Sequence, residues 1–354
     1  MMNTALNPDT EKDAIVIFRL GSLGDTIVAL PCFHAILRHF PNARRVVLTN
    51  MPVSSKAAPL LGVLGTEGQF IDEAIEYPVG LRSISGLLAL RRRLRAVGAR
   101  KLIYLMPERS GISAWRDWLY FRFCGFSEIV AFPTHAGMRQ SRVGPDGEVE
   151  PEANRLVRCC AMAFGPIDLA AAENWDLKLT QEEVARGLVS VSPIGLVPRI
   201  AINMGGKAAE KDWSVANWRK LAARLGERWP DLGLMTVGAN DDRSQAEDLL
   251  KVWKGPKINL CGELTPRETA AALIGCVGFI GHDSGPLHVA AALGVPVLGL
   301  FGNFNRPIKW HPIGPMVSII HQMKGMQAIS VDEVERAAVA LIRNGLGQGG
   351  LIRR

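Results

Sequence analysis

The segment AIVIFRLGSLGDTIVALPCFHAILRHF, residues 14–40, carries the pattern that decides the fold. The apolar run over residues 14–19 predicts a short buried strand, and a glycine-containing turn follows it. Helical spacing over residues 26–39 then continues until Pro41 stops it. The segment is therefore a strand–loop–helix unit.

The rest of the first half repeats this alternation. A polar, glycine-rich stretch over residues 135–150 predicts a loop before a further helix at residues 152–164. Strands alternating with helices indicate a parallel sheet covered on both faces. The remaining predicted strands are 45–49 and 101–106, and the remaining predicted helices are 84–97, a basic one, and 114–124, an aromatic-rich one.

A second series of strands and helices follows a break at residues 192–198 and runs from residue 200 to residue 301. A chain of 354 residues is long enough for two domains. We therefore predict an α/β protein of two Rossmann-like, doubly wound domains, whose ligand crevices at the strand carboxyl ends face each other across a cleft. The predicted divisions are residues 1–190, residues 198–330, and a helix and tail over 331–354, for which packing back on the N-terminal domain is one option.

Composition and charge narrow the class of partner. With 48% hydrophobic and 21% charged residues, the chain has the composition of a folded protein. The formal charge of +7 favours an anionic partner, which leaves nucleic acid, a membrane surface and a phosphorylated substrate open. The basic residues concentrate in residues 81–122, where ten Lys or Arg face only Glu108 and Asp117.

The cysteines and the N-terminus bear on location. The six cysteines have no C-x-x-C spacing and are expected to be reduced thiols. Residues 1–13 are polar, and no stretch reaches the roughly 18 apolar residues of a membrane span. The sequence therefore predicts a cytoplasmic protein, or one peripheral to the cytoplasmic face of a membrane.

The turn after the first strand, residues 21–26, is the first candidate site. Glycines such as Gly24 leave backbone amides near the positive end of the next helix, where an anion can bind. Asp25 has two interpretations at this point. It caps the helix that follows, or it is a general base that takes a proton from an attacking hydroxyl.

The second candidate site is GHDSGPLHVAAALGVP, residues 281–296. It follows an apolar strand, so Ser284 and Gly285 are expected where backbone amides converge at a helix start and hold a diphosphate. His288, one turn into that helix, is expected on the same face. Together with Asp283, these residues form the predicted donor loop.

The motif D-S-G-x-x-H-x-A-A-A-x-G-x-P, residues 283–296, with Leu300-Phe301-Gly302 after it, resembles the donor-site signature of glycosyltransferase family nine, the ADP-heptose:lipopolysaccharide heptosyltransferases. Three further motifs in the same order strengthen the resemblance. They are RLGSLGDT (19–26) with Leu30-Pro31 and Phe40-Pro41, KDW (211–213) with Trp218, and VGANDD (237–242).

The resemblance implies a GT-B fold and an inverting, metal-independent transfer of sugar from a nucleotide donor, with ADP-heptose as co-substrate and no cofactor or bound metal. Asp25 matches the family's general base, and Lys211 matches the lysine that contacts the donor phosphates. Lys207, in the loop of Gly205, is a rival for that lysine. Asp242 falls where the family binds ribose hydroxyls, although it is equally a helix cap. Residues 260–264 are expected to form the wall of the nucleobase pocket.

The resemblance further implies an acceptor bound by the N-terminal domain. An anionic, lipid-linked glycan of the lipopolysaccharide core fits the basic residues there. Because such an acceptor is anchored in the inner membrane, peripheral contact with that membrane is expected as well. The alternative is that these charges form a solvated helix face. The acceptor residues predicted from this reasoning are Arg109, Arg116, Arg139 and Arg142.

Other functions stay open at this point. They include transfer from another nucleotide sugar, transfer to a protein, GT-B epimerase activity and non-catalytic binding of a sugar nucleotide. Residues 303–312, NFNRPIKWHP, depart from the family pattern beside the donor site and leave the donor sugar open. Nucleic-acid binding fits the charge, but the sequence shows no recognisable module for it, and the oligomeric state is not predicted.

Overall fold

The computed structural model describes residues 14–51, 58–65, 68–206 and 208–352. Two parallel β-sheets, each covered by helices, form the described chain. The strands are β1 Ala14–Phe18, β2 Arg44–Met51, β3 Glu73–Pro78, β4 Lys101–Tyr104, β5 Glu128–Val130, β6 Arg199–Asn203, β7 Gly233–Thr236, β8 Lys257–Asn259, β9 Gly278–His282, β10 Val297–Phe301 and β11 Val317–His321. The helices are α1 Leu23–Ile27, α2 Leu30–His39, α3 Leu61–Leu64, α4 Ile84–Ala96, α5 Gly111–Cys124, α6 Ala136–Arg139, α7 Glu152–Phe164, α8 Gln181–Val191, α9 Val215–Arg228, α10 Arg243–Leu250, α11 Pro266–Leu273, α12 Gly285–Ala292 and α13 Val331–Ile352.

The first sheet has the strand order β3-β2-β1-β4-β5. In its centre, Val16 pairs with Val46 on one side and Leu102 on the other. The helix predicted over residues 26–39 is divided into α1 and α2, with Pro31 in the first turn of α2. Proline has no N–H to donate and clashes with the carbonyl four residues earlier, so a single helix cannot pass through this position.

The second sheet has the strand order β11-β10-β9-β6-β7-β8. Between β6 and β9 the direction in which successive strands are added to the sheet changes, as it does between β1 and β4 in the first sheet. Such switch points leave a crevice at the carboxyl ends of the strands. The predicted α/β fold of two doubly wound domains is confirmed.

The last helix, α13, packs on the C-terminal sheet. Val334, Ala338 and Ile342 are fully buried in one core with Ile200 and Ile280. This placement differs from packing on the N-terminal domain, which was one of the arrangements considered from the sequence. The apolar face of α13 covers the sheet face next to α9.

The helix α8 also differs from the predicted division, which put residues up to 190 in the N-terminal domain. It packs on α11 of the C-terminal domain, and a β-carbon added to Gly187 would lie 2.5 Å from the Ala271 side chain. The chain therefore crosses between the domains before α8 begins.

Arg267 on α11 joins the two domains at this crossing. Its buried guanidinium donates to the carbonyls of Val63 and Leu177, at 2.8 and 2.9 Å, and pairs with Glu183, with Nε and Oε1 2.6 Å apart. Because every one of these partners lies on a different segment, one side chain fixes α3, α8 and α11 together.

Candidate active site

A cavity of about 580 Å³ lies between the two domains. Its N-terminal wall is formed by residues 22–25, which are the N-cap and first turn of α1 and follow β1 closely. Its C-terminal walls are the segments after β6, β7, β8 and β9, and the start of α12. The cavity thus lies at the switch points of both sheets, where parallel α/β domains bind ligands.

Asp25 lies in the first turn of α1 and lines the cavity. Its Oδ2 accepts hydrogen bonds from the Ser22 backbone N–H and hydroxyl, both at 2.8 Å. The capping interpretation therefore describes a real contact, and the same contact fixes the carboxylate toward the cavity. Gly21 is required for it, because φ is +131° there and an added β-carbon would lie 2.4 Å from the β-carbon of Asp25.

Beneath Asp25 lies Arg19, whose side chain is fully buried and donates to the backbone carbonyls of Asp25 and Leu105. Burial lowers the pKa of Arg19, and the charge of Asp25 opposes that shift. Arg19 thus ties the backbone at Asp25 to the chain just after β4.

The start of α12 faces α1 across the cavity. Ser284 is the N-cap, and its hydroxyl donates to Oδ1 of Asn203 at 2.7 Å. Gly285 contacts Leu23 so closely that an added β-carbon would lie 2.1 Å from Leu23 Cδ2. The first amides of a helix have no partner within it, and this helix end lines the cavity, so the helix dipole favours an anion there.

His288 lies one turn further along α12 and also lines the cavity. Burial lowers the pKa of His288, while the charges of Asp283 and Asp25 act in the opposite direction. The imidazole is therefore neutral near pH 7 and is placed between the carboxylates of the two domains.

Lys211 and Asp283 form an ion pair in the cavity wall, with Nζ and Oδ2 2.7 Å apart. The Lys211 ammonium also donates to the Asp283 carbonyl at 3.2 Å and lies 4.5 Å from the centre of the Phe304 ring. Asn305 donates to the Asp283 carboxylate at 2.5 Å. The segment after β10 thereby holds the pair in place.

Asp242 caps the turn that leads into α10, since its Oδ2 accepts from the Ala239 N–H at 2.8 Å. The loop after β6 passes so close that a β-carbon on Gly205 would lie 2.2 Å from the same oxygen. Gly205, Asp242 and the predicted base wall, through Gly262 and Leu264, all line the cavity. Lys207, the rival phosphate lysine, lies outside the described residues.

A second cavity, of about 530 Å³, lies in the N-terminal domain at the ends of β1, β2 and β3. Arg109 and Arg116 line it, and both pair with Asp117, at 3.1 and 3.2 Å. Burial raises the pKa of Tyr77 in the same wall to about 12, so its phenol stays protonated. Leu20 lines this cavity while Ser22 lines the first one, so the loop after β1 borders both.

Arg139 and Arg142 lie elsewhere. Arg139 donates to the Thr134 carbonyl at 3.3 Å, beside Gly111. Arg142 is exposed, and its backbone N–H donates to the Glu150 carboxylate. The structure therefore brings two of the four predicted acceptor arginines together in one cavity and places the other two outside it, Arg139 at the end of α6 and Arg142 in the segment that follows.

Several cavity residues were missed by sequence reasoning. Asn203 could have been found, since it is a polar residue at the end of an apolar strand. Residues 303–312 were expected beside the donor site, but the individual contacts of Phe304, Asn305 and Trp310 were not predicted, because they depend on how this segment folds back over the cavity. That segment also reaches the N-terminal domain, where Lys309 pairs with Glu108.

Two facing Rossmann-like domains with a cavity between the ends of their strands define the GT-B class of protein. Residues 143–337 match the model of glycosyltransferase family 9 (heptosyltransferase). That match covers more than half of the chain, and the chain belongs to this family. No helix in the described ranges is long and apolar enough to cross a membrane.

Individual relatives agree with this assignment. Lipopolysaccharide heptosyltransferase 3 of Escherichia coli is 30% identical over 103 residues, which are 29% of this chain and 30% of that protein. The matched segments of the curated relatives cover only 30 to 46% of their lengths.

Two solved structures show the fold over nearly the whole chain. The family 9 glycosyl transferase of Veillonella parvula DSM 2008 has a TM-score of 0.71 at 21% identity, covering 94% of this chain and 98% of that one. The E. coli heptosyltransferase WaaC, solved with ADP, has a TM-score of 0.64 at 15% identity, covering 93% and 99%.

Proposed function

We propose that this chain is an inverting glycosyltransferase that transfers heptose from ADP-heptose to an anionic glycan acceptor of the lipopolysaccharide core, with no metal and no cofactor. One observation carries the proposal. Asp25 of one domain and the Lys211–Asp283 pair and α12 N-terminus of the other line the same cavity. This arrangement supports a transfer site in which a base on one domain faces an anion site on the other.

In the proposed reaction, the Asp25 carboxylate takes the proton of the acceptor hydroxyl as the oxygen attacks the anomeric carbon. The bond from that carbon to the diphosphate breaks on the opposite face, which inverts the anomeric centre. Lys211 and the amides at the start of α12 stabilise the negative charge that grows on the departing diphosphate. The products are the glycoside, ADP and a proton held by Asp25.

The assignment of ADP draws on relatives, since WaaC of E. coli was solved with ADP and the curated relatives are heptosyltransferases. For the acceptor, we propose that its anionic group enters the second cavity, beside Arg109 and Arg116. The acceptor would then extend along the loop after β1, which borders both cavities, and its hydroxyl would lie near Asp25.

Two measurements on the full chain test the proposal. The first is thermal stabilisation by ADP, UDP, GDP and CMP, where ADP is expected to stabilise selectively. A ligand at 100 times its dissociation constant adds about 2.7 kcal/mol. Preference for UDP or GDP would remove heptose as the donor sugar.

The second measurement compares Asp25→Asn with the parent. The amide oxygen of asparagine can still accept from Ser22, so the fold and ADP affinity are expected to persist while turnover falls by roughly 10²–10⁴-fold. Ser330→Ala, a change in the turn before α13, is the control and should keep full turnover. Unchanged turnover in Asp25→Asn would rule out the proposed base.

A further inference from the structure

The helix α5 has apolar side chains on two opposite faces. Its inner face, with Ala114, Phe121 and Cys124, is buried in the N-terminal core. The outer face of a helix at a protein surface is ordinarily polar. Here the outer face carries a stripe at helical spacing, formed by Ile112 (86% exposed), Trp115 (48%), Leu119 (62%) and Phe123 (55%).

The neighbouring helix α4 extends this stripe. Ile84 and Leu88, one turn apart on α4, are also exposed. Arg91 joins the two helices, since its guanidinium lies 4.3 Å from the centre of the Phe123 ring and its Nε donates to the Phe123 carbonyl at 2.9 Å. We call this surface the α4–α5 face. It comprises Ile84, Leu88, Ile112, Trp115, Leu119 and Phe123.

The exposed charges of α4 and α5 have one sign. Both acids of residues 81–122 are engaged in contacts, Glu108 with Lys309, and Asp117 with Arg109, Arg116 and Tyr104. The exposed charged side chains of α4 and α5 are all arginines, namely Arg92, Arg93, Arg95, Arg116 and Arg122, of which Arg116 pairs with Asp117. An apolar stripe on helices with an excess of exposed arginines complements a surface that is apolar within and anionic at its boundary.

This charge pattern argues against a second copy of the chain as the occupant. A symmetric dimer places the same patch against itself, which would bring the arginines of both copies together. A bilayer with anionic phospholipids instead offers phosphates to the arginines and an acyl region to the apolar side chains.

We propose that the α4–α5 face binds the surface of an anionic phospholipid membrane. Ile112, Trp115 and Leu119 enter the boundary between headgroups and acyl chains, and the surrounding arginines contact lipid phosphates. This surface adjoins the second cavity, whose wall includes Arg82 and Arg116. On the proposed function, on which this step rests, that cavity then lies where a lipid-linked acceptor would reach it from the membrane.

Co-sedimentation of the full chain with vesicles tests the proposal without requiring activity. The vesicles contain phosphatidylethanolamine with phosphatidylglycerol, or phosphatidylcholine alone. The parent is expected to bind the first and to bind the second weakly. The variant Ile112→Ser/Leu119→Ser should weaken binding roughly tenfold or more, because exposed apolar side chains carry the insertion. Arg92→Gln/Arg95→Gln should weaken it mainly at low salt.

The control is Met162→Ser/Val189→Ser, which removes two equally exposed apolar side chains from α7 and α8 and should bind like the parent. Equal loss in this control, or no binding by the parent, would overturn the proposal. A parent dimer in sedimentation equilibrium that Ile112→Ser/Leu119→Ser dissociates would assign the face to a second copy and overturn it as well. Asp25→Asn should bind vesicles like the parent. A wrong transferase assignment would therefore appear as unchanged turnover in Asp25→Asn, while vesicle binding would be unaffected.

Discussion

The ammonium of Lys211 lies 2.7 Å from the carboxylate of Asp283, and both belong to the wall of the interdomain cavity. They come from different segments, the turn before α9 and the end of β9. The pair holds a cation next to the N-terminus of α12, so two sources of positive potential are directed at one place. An anionic group bound there would share Lys211 with Asp283.

The first prediction concerns the charge of Lys211. We expect Lys211→Met to lower kcat/KM by roughly 10²–10³-fold, because the cation stabilises charge that develops on the leaving diphosphate. Lys211→Arg keeps the charge but not its compact shape, and should retain part of the activity. Steady-state kinetics with the nucleotide sugar measure both.

The matched control for Lys211 is Lys220→Met on the exposed face of α9, which should leave kcat/KM unchanged. Thermal stability of each variant separates a loss of charge in the cavity from a loss of folded protein. Full activity of a stable Lys211→Met variant would show that this lysine takes no part in the reaction.

The second prediction concerns pH and His282, which is fully buried at the end of β9. Its Nε2 accepts from the Trp213 N–H at 3.1 Å and from the Trp218 indole at 3.2 Å, so the ring must be neutral. Burial lowers its pKa to about 4, from an ordinary value of about 6.5.

Since the folded pKa lies below the unfolded one, the unfolded chain binds more protons between these values. The stabilisation from neutral His282 is therefore complete above about pH 6.5 and is lost as the pH falls toward about 4. The free energy of unfolding falls by at most about 3 kcal/mol over this range. Urea unfolding across this range should show the decline. His282→Asn should be less stable than the parent at pH 7 but should show a smaller decline, whereas exposed His135→Asn should keep the parent slope. An unchanged slope in His282→Asn would contradict this explanation.

The candidate site was largely predictable because its signals are local. Asp283 and Ser284 directly follow an apolar strand, Asp25 lies in the first helical turn after another, and the carboxyl ends of parallel strands meet at one edge of a sheet. The Lys309–Glu108 pair could not be predicted, since the two residues are 201 positions apart and meet only when the domains face each other.

The strands that sequence reasoning missed are β3, β5 and β11, which lie at sheet edges in both domains. Edge strands are half exposed, so they lack the continuous apolar run that marks a buried parallel strand. In β3, for example, exposed Glu73 begins the strand and Ile75 is its buried residue. The central strands β1, β6 and β9 are buried over most of their length and were predicted correctly.

The last prediction concerns the contact of Gly285 with Leu23, which sets how closely α1 approaches α12. In Gly285→Ala, the new β-carbon would lie 2.1 Å from Leu23 Cδ2 and 2.8 Å from Leu23 Cβ, so one of the helices must move. Such overpacking costs about 1–3 kcal/mol. Because Asp25 and Ser284 lie on these two helices, we expect turnover to fall roughly tenfold as the base and the anion site separate.

A second change distinguishes this steric effect from other causes. Leu23→Ala removes the atoms nearest to the added methyl group, so the Leu23→Ala/Gly285→Ala double variant should recover part of the turnover that Gly285→Ala loses. Gly347→Ala in α13 is the matched control, since its added β-carbon would meet nothing within 4 Å and alanine favours a helix. If the double variant were no more active than Gly285→Ala, the close approach of Leu23 would not be what positions the two halves of the site.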